Sequence, residues 1–421
     1  LEPVPEGREQ RAGAGVFLRQ GEPAAPSAWN SADLRHFHVP APQPVTIHAQ
    51  LADWGRAAGM ATVCDRAANM ILIRQGALED PPVAAGSHLD TQPHGGRFDG
   101  VSGVLAALEV AETLNDAGIV TRAPYAVVNF TNEEGVRFVP GLLGSAWFSG
   151  KLSDDALVDC QTADGTGFLE EARARNLSGV LRQGDLPLGA FFELHIEQGP
   201  VLEREGCAVG IVDGVQGLRW LDVNITGTDA HAGTTPLSER RDALLCAARM
   251  IVALHEVGRD GGVDARVSVG RLKTATDGPS TVAGDAQLVV DVRHPDAAVL
   301  DALTSRCAKV CGEIAVTAGC EAVIHERIAI APVAFDGHLV GALETAAADL
   351  GLAYRHMTSG ALHDASNLAA VAPTAMVFVP CRGGVSHNVA EYASPQDLEA
   401  GANVLLHAVL ARAGIASASQ G

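Results

Sequence analysis

The sequence predicts an α/β protein, a mainly parallel-sheet catalytic domain interrupted by a smaller ferredoxin-like α+β domain. Three observations carry this. Apolar runs at 82–86, 125–130, 190–194 and 374–379 read as short buried strands, separated by helix-patterned stretches. Each run leads into a residue able to hold a metal ion, as expected where open α/β sheets bind ligands beyond their strands' C-terminal ends. Between about 210 and 328 the order becomes strand, helix, two strands, helix, strand, which is the β-α-β-β-α-β signature of a small sandwich.

Along the chain, residues 1–43 are rich in Pro, Gly, Ala and Gln and read as an irregular arm, with Trp29, His36, Phe37 and His38 as its anchors on the body. Helices are expected at 45–58 and 101–114. The interrupting domain reads as a strand at 218–226, a loop with His231, a helix at 238–257, strands at 266–269 and 286–292, a helix at 296–317 and a strand at 321–328. A chain of 421 residues exceeds one ordinary core. The expected division is 1–209 with 329–421 as a discontinuous metal-binding domain, and 210–328 as an insert.

Composition narrows the function. A formal charge of −20 repels phosphates, which excludes nucleic acid and anionic membranes as partners. No apolar run approaches the ~20 residues of a membrane-spanning helix. The eight cysteines form no Cys-x-x-Cys pair, so reduced thiols in a cytoplasmic protein are expected. No basic-then-apolar leader follows Leu1.

The chemistry is written in five places. Gly86-Ser87-His88-Leu89-Asp90-Thr91 carries an imidazole with a carboxylate two residues on, able to accept the other ring N–H and fix the tautomer. Asp99 sits in the Gly-rich Gly95–Gly100 loop, where backbone can fold tightly around a cation. Glu133-Glu134 follows a strand; adjacent side chains point apart, so one can ligate while the other reaches a water. His195 and His387 each close a further strand segment. Alone, each reads as an ordinary loop or core residue. Together His88, Asp99, His195, His387 and one glutamate of the Glu133-Glu134 pair make a mixed N/O donor set for two divalent cations, Zn²⁺ first, with Mn²⁺, Co²⁺ or Ni²⁺ as alternatives. The other glutamate of the pair is free to move protons. No Gly-x-Ser-x-Gly elbow supports a serine nucleophile. The presence of Glu133 and Asp99 argues against a silent binding protein.

These segments resemble the amidase/hydantoinase/carbamoylase family of dinuclear metallohydrolases. The likeness runs over about 45–410, through GSHLDT (86–91), GGRFDG (95–100), FTNEEGVRF (130–138), ELHIEQGPVLE (193–203), HAGTTP (231–236), DVRH (291–294) and GGVSHN (383–388). The resemblance implies that Asp99 bridges the metals, that His88 and His195 complete one site, and that Glu134 and His387 complete the other. It makes Glu133 the general base. It has His231 reach the active site from a partner subunit to stabilise an oxyanion, which implies a homodimer joined through the inserted lid domain. Arg293 would fork onto the carboxylate of a small-molecule substrate, with Gln198 assisting.

Two departures from the family's pattern bear on substrate. Ser280 stands where an Asn is usual, and Leu362 replaces the Gly of Gly-Ala-Gly-His-Asp just before His363, which is expected near the substrate. The activity implied is hydrolysis of a linear C–N amide, N-carbamoyl-L-amino acid or N-carbamoyl-β-alanine giving amino acid, CO₂ and ammonia. Allantoate or an N-acyl amino acid are the competing substrates.

Overall fold

The computed structural model describes residues 46–276 and 278–416. The arm at 1–43, with Trp29, His36, Phe37 and His38, lies outside the described residues. Contacts divide the chain into two compact units, one running to Gly214 and resuming at Ala334, the other spanning Val215–Val333.

The first unit is built on a sheet of nine strands among the described residues. Its centre is parallel: Tyr125–Phe130, Val83–His88, Ala190–Ile196 and Thr374–Val379 lie side by side in that order. All four are buried along their whole length, which is why each appears in sequence as a continuous apolar run. Helices Val101–Asp116 and Pro395–Ala413 pack on these strands and on each other. The second of these starts cleanly because Ser394 accepts a hydrogen bond from Asp397 N–H and proline opens the first turn. A separate pair of short helices, Leu143–Phe148 and Asp364–Leu368, also packs on the central strands.

The sheet is parallel through its centre, as the sequence predicts, and antiparallel at its margins. Met70–Arg74 pairs antiparallel with Tyr125–Phe130, Ala61–Cys64 continues antiparallel outside it, and Val209–Val215 runs antiparallel to Thr374–Val379. The fold is thus a mixed α/β one with a parallel centre. Parallel neighbours need crossover connections, whereas the hairpin of Ala61–Cys64 and Met70–Arg74 seals one edge with little chain.

The second unit has a four-stranded antiparallel sheet in the order Glu321–Ile330, Gly217–Thr226, Asp285–His294, Arg266–Lys273. Helices Ala243–Asp260 and Ala297–Thr317 pack against it. Strand alternation sends Leu221, Val223, Ile225, Leu288 and Val290 into a core with Met250, Leu254, Cys307 and Cys311. The first helix starts later than its periodicity indicates. Leu237–Glu239 forms only a 3₁₀ turn, and the helix proper begins after Asp242, whose carboxylate accepts the Leu245 N–H at 2.9 Å. His231 lies on a two-residue strand, Ala230–His231, paired with Thr281–Val282. Among the described residues no helix is long and apolar enough to cross a membrane, and all eight cysteines are free thiols.

Candidate metal centre

His88 is the last residue of its strand, and its ring is held from behind. Nδ1 lies 2.9 Å from the backbone carbonyl of Asp90. That carbonyl can only accept, so Nδ1 carries the proton and Nε2 presents its lone pair. His195 is fixed the same way, with Nδ1 2.9 Å from the carbonyl of Ile196. The sequence reading gave the first of these tasks to the Asp90 carboxylate, and this is corrected. The carboxylate is 3.7 Å from His88 Nδ1 and instead accepts the backbone N–H groups of Glu133 at 3.2 Å and Glu134 at 3.0 Å. Asp90 therefore anchors the loop carrying both glutamates.

Asp99 lies between the imidazoles. Its Oδ1 is 3.1 Å from His195 Nε2 and 3.5 Å from His88 Nε2. Its Oδ2 is 3.5 Å from His387 Nε2 and accepts hydrogen bonds from Ser386 Oγ and Gln198 Nε2, both at 2.8 Å. Glu134 completes the second group, with Oε2 3.4 Å from His387 Nε2 and receiving Gln92 Nε2 at 2.7 Å. Two donor clusters result, His88–Asp99–His195 and Asp99–Glu134–His387, each with ligand atoms within 4.8 Å of one another and sharing Asp99.

Two further observations fit cations to these donors. Glu134 Oε1 is buried with no hydrogen-bond partner among the described residues. Three carboxylates, Asp99, Glu133 and Glu134, are also crowded around the imidazole Nε2 atoms, an arrangement in which a cation, or protonated imidazoles in its place, offsets the repulsion. Zn²⁺ and the other N/O-tolerant divalent ions match this donor chemistry.

Glu133 belongs to neither cluster, although its Oε2 is 3.6 Å from His88 Nε2. Burial, against the pull of His88 and with the repulsion of Asp364, Glu134 and Asp90 added, pushes its carboxyl well above the usual range. For Asp99 burial acts the same way, yet the positive charge that His195 and His88 carry when protonated outweighs it and holds that carboxyl well below the usual range.

His363 packs against His195. It is 2 % exposed, hydrogen-bonded through Nε2 to Ser359 Oγ at 2.9 Å, and edge-on to the His195 ring with centroids 4.5 Å apart. Beside it lies Glu193, which the sequence reading missed. Fully buried, it accepts from Ser87 Oγ at 2.6 Å and from Ala365 N–H at 2.8 Å. The available signal was an acid in an apolar strand, two residues before His195 and so on the same face.

The remaining predicted residues belong to the second unit. His231 is exposed, and its Nδ1 accepts the N–H groups of Gly233 at 3.0 Å and Thr234 at 3.2 Å. Its proton is therefore on Nε2, which points an N–H donor outward. Arg293 forks onto Asp291, through Nε at 2.8 Å and Nη2 at 2.9 Å, and Trp220 Nε1 donates to the same carboxylate. Ser280 uses its backbone carbonyl to accept Ala232 N–H at 2.8 Å, and its residue is exposed.

Residues 84–411 match the profile of the family described as Peptidase family M20/M25/M40. The chain belongs to that family. Among curated relatives, an N-carbamoyl-L-amino-acid amidohydrolase of Rhizobium meliloti is 41% identical, over 86% of this chain and 87% of its own length. One of Geobacillus stearothermophilus is 38% identical, over 85% and 88%. Among solved structures, an amidase of the hydantoinase/carbamoylase family from Burkholderia multivorans superimposes with a TM-score of 0.86 at 41% identity, over 92% of this chain and 97% of that one. This M20 chain is thus a hydrolase of the amidohydrolase kind, acting on C–N bonds other than peptide bonds.

Proposed function

We propose that the protein hydrolyses N-carbamoyl-L-amino acids, or N-carbamoyl-β-alanine, to the amino acid, CO₂ and ammonia, using two divalent cations per subunit. The observation that carries this reading is the pair of donor clusters joined at Asp99, with Glu133 beside them and outside both. His88 and His195 would hold one cation, Glu134 and His387 the other, and Asp99 both. When bound, the cations supply a water of lowered pKa and polarise the carbonyl under attack.

The chain's own groups do the rest. Glu133, its proton affinity raised by burial, takes the proton from the attacking water and returns it to the leaving nitrogen. Asp90 holds the Glu133 loop in register. His231, with its donor on Nε2, is assigned to the oxyanion, acting from a partner subunit. Arg293 is assigned to the substrate carboxylate, with Asp291 fixing the plane of its guanidinium. Gln198, hydrogen-bonded to Asp99, is assigned to the substrate as well. Ser280, shorter than an amide side chain, would leave that carboxylate with one donor fewer.

The second unit is assigned the lid and dimer contact of a homodimer. Exposed Leu244, Leu245 and Val252 on helix Ala243–Asp260, and Leu272 on the edge strand, support this. The unpaired thiols support a reducing, cytoplasmic setting.

The test is ammonia release from metal-loaded protein offered N-carbamoyl-L-amino acids, N-carbamoyl-β-alanine, allantoate and N-acetyl amino acids. Turnover of a carbamoyl substrate is expected, with kcat reduced on the order of 10²–10⁴-fold in Glu133→Gln while both metals stay bound. Turnover of allantoate or N-acetyl amino acids alone would refute the carbamoyl assignment.

A further inference from the structure

Glu391 is 3 % exposed and belongs to neither donor cluster. Its Oε1 accepts the backbone N–H of Phe98 at 2.9 Å and of Asp99 itself at 3.1 Å. It lies four residues after His387 and five after Ser386, whose hydroxyl donates to Asp99 Oδ2. One short C-terminal segment thus grips Asp99 twice, at the carboxylate through Ser386 and at the main chain through Glu391.

The Gly-rich loop is shaped to receive it. A Cβ at Gly96 would fall 2.0 Å from Glu391 Oε1, so only glycine lets the carboxylate reach its two N–H partners. Burying one carboxylate next to the loop of another is costly in itself. Two charge-assisted bonds to consecutive N–H groups offset part of that cost and hold the loop at one height. A bridging ligand needs that constraint, because its two oxygens must serve two ions at once and small errors in backbone position reach both.

We infer that Glu391 is a positioning residue for Asp99, setting the main chain so that one carboxylate can serve both cations. The inference rests on the reading of Asp99 as the shared ligand.

The test titrates Co²⁺ into chelator-stripped, full-length protein, followed by calorimetry and by the visible Co²⁺ absorption, with thermal melts of the stripped proteins alongside. Wild type is expected to take up two Co²⁺. Uptake of one or none would overturn the shared-ligand reading itself, independently of Glu391. Glu391→Ala is expected to bind at least one Co²⁺ about 10–100-fold more weakly, with an altered visible spectrum and a metal-free melting temperature close to wild type. Glu391→Gln keeps one acceptor oxygen and is expected to recover most of the affinity. Two Co²⁺ bound by Glu391→Ala with wild-type affinity and spectrum would overturn the inference. Equal losses in Ala and Gln, together with a lowered metal-free melting temperature, would also overturn it, by marking a purely structural residue. If Glu391→Ala does not fold, Glu391→Asp replaces it. Its arm is one methylene too short for both N–H groups, so weakened binding supports the inference and wild-type binding refutes it.

Discussion

At the scale of single residues, the centre depends on atoms that are not ligands. Gly100 follows Asp99, the acid common to both donor clusters, with a φ of +66°, and a Cβ there would lie 2.3 Å from the His88 ring. Gly100→Ala would therefore strain the left-handed backbone and displace a ligand in one change. The expected outcome is metal content falling from two ions per chain toward one after gel filtration, with activity down about 10–100-fold or more. Retention of both ions would refute it. The candidate ligands, which the structure brings together, could be named from the sequence because each follows an apolar run or lies in a glycine-rich loop. What orients them was not. Asp90 was assigned to the His88 ring, whereas a backbone carbonyl does that work and Asp90 caps two amides 43 and 44 residues away. Glu391 reaches backbone 292 residues upstream. Hydrogen bonds to main chain leave no mark in the identity of the residue that supplies the N–H.

At the scale of elements, legibility followed burial. Tyr125–Phe130 and Thr374–Val379 could be delimited because both faces are covered and the apolar run has sharp ends. Ala61–Cys64 could not, being four residues long and half solvent-facing. The expected helix start near Ser238 gave way to Asp242 because a side chain that caps outweighs periodicity. The first helix, Thr46–Ala57, carries a titration of its own. His48 is buried, and burial together with the nearby Arg175 lowers its pKa to about 4. Unfolded, the imidazole binds a proton near pH 6.5, so between about 6.5 and 4 the unfolded chain holds the proton and the folded one does not. Stability is full above that window and is lost as pH falls through it. Urea unfolding at pH 7 and pH 5 should show about 2 kcal/mol more loss in wild type than in His48→Leu. Equal losses would mean that His48 titrates normally in the folded protein.

At the scale of the whole molecule, the candidate ligands of the first unit come from five stretches of chain, at residues 88, 99, 134, 195 and 387. An ion bound there ties together loops carried by separate strands. Stripped protein should melt at a lower temperature than protein supplied with Zn²⁺ or Mn²⁺, by the equivalent of about 4 kcal/mol at a thousandfold excess over the dissociation constant. Scanning calorimetry with and without added ion measures it. An unchanged melting temperature would count against a native cation site. The interrupted chain path also has a consequence for biosynthesis. Strand Ala190–Ile196 pairs on one side with Val83–His88, but its other neighbour, Thr374–Val379, is translated some 180 residues later. Until then the nascent sheet carries an apolar open edge, the kind of surface on which chains associate wrongly. The strand that covers this edge also leads into His387, the last of the candidate ligands to be made. Nascent chains released before that point would have both an unsealed edge and an incomplete donor set, which makes them natural clients for a chaperone that shields β-edges.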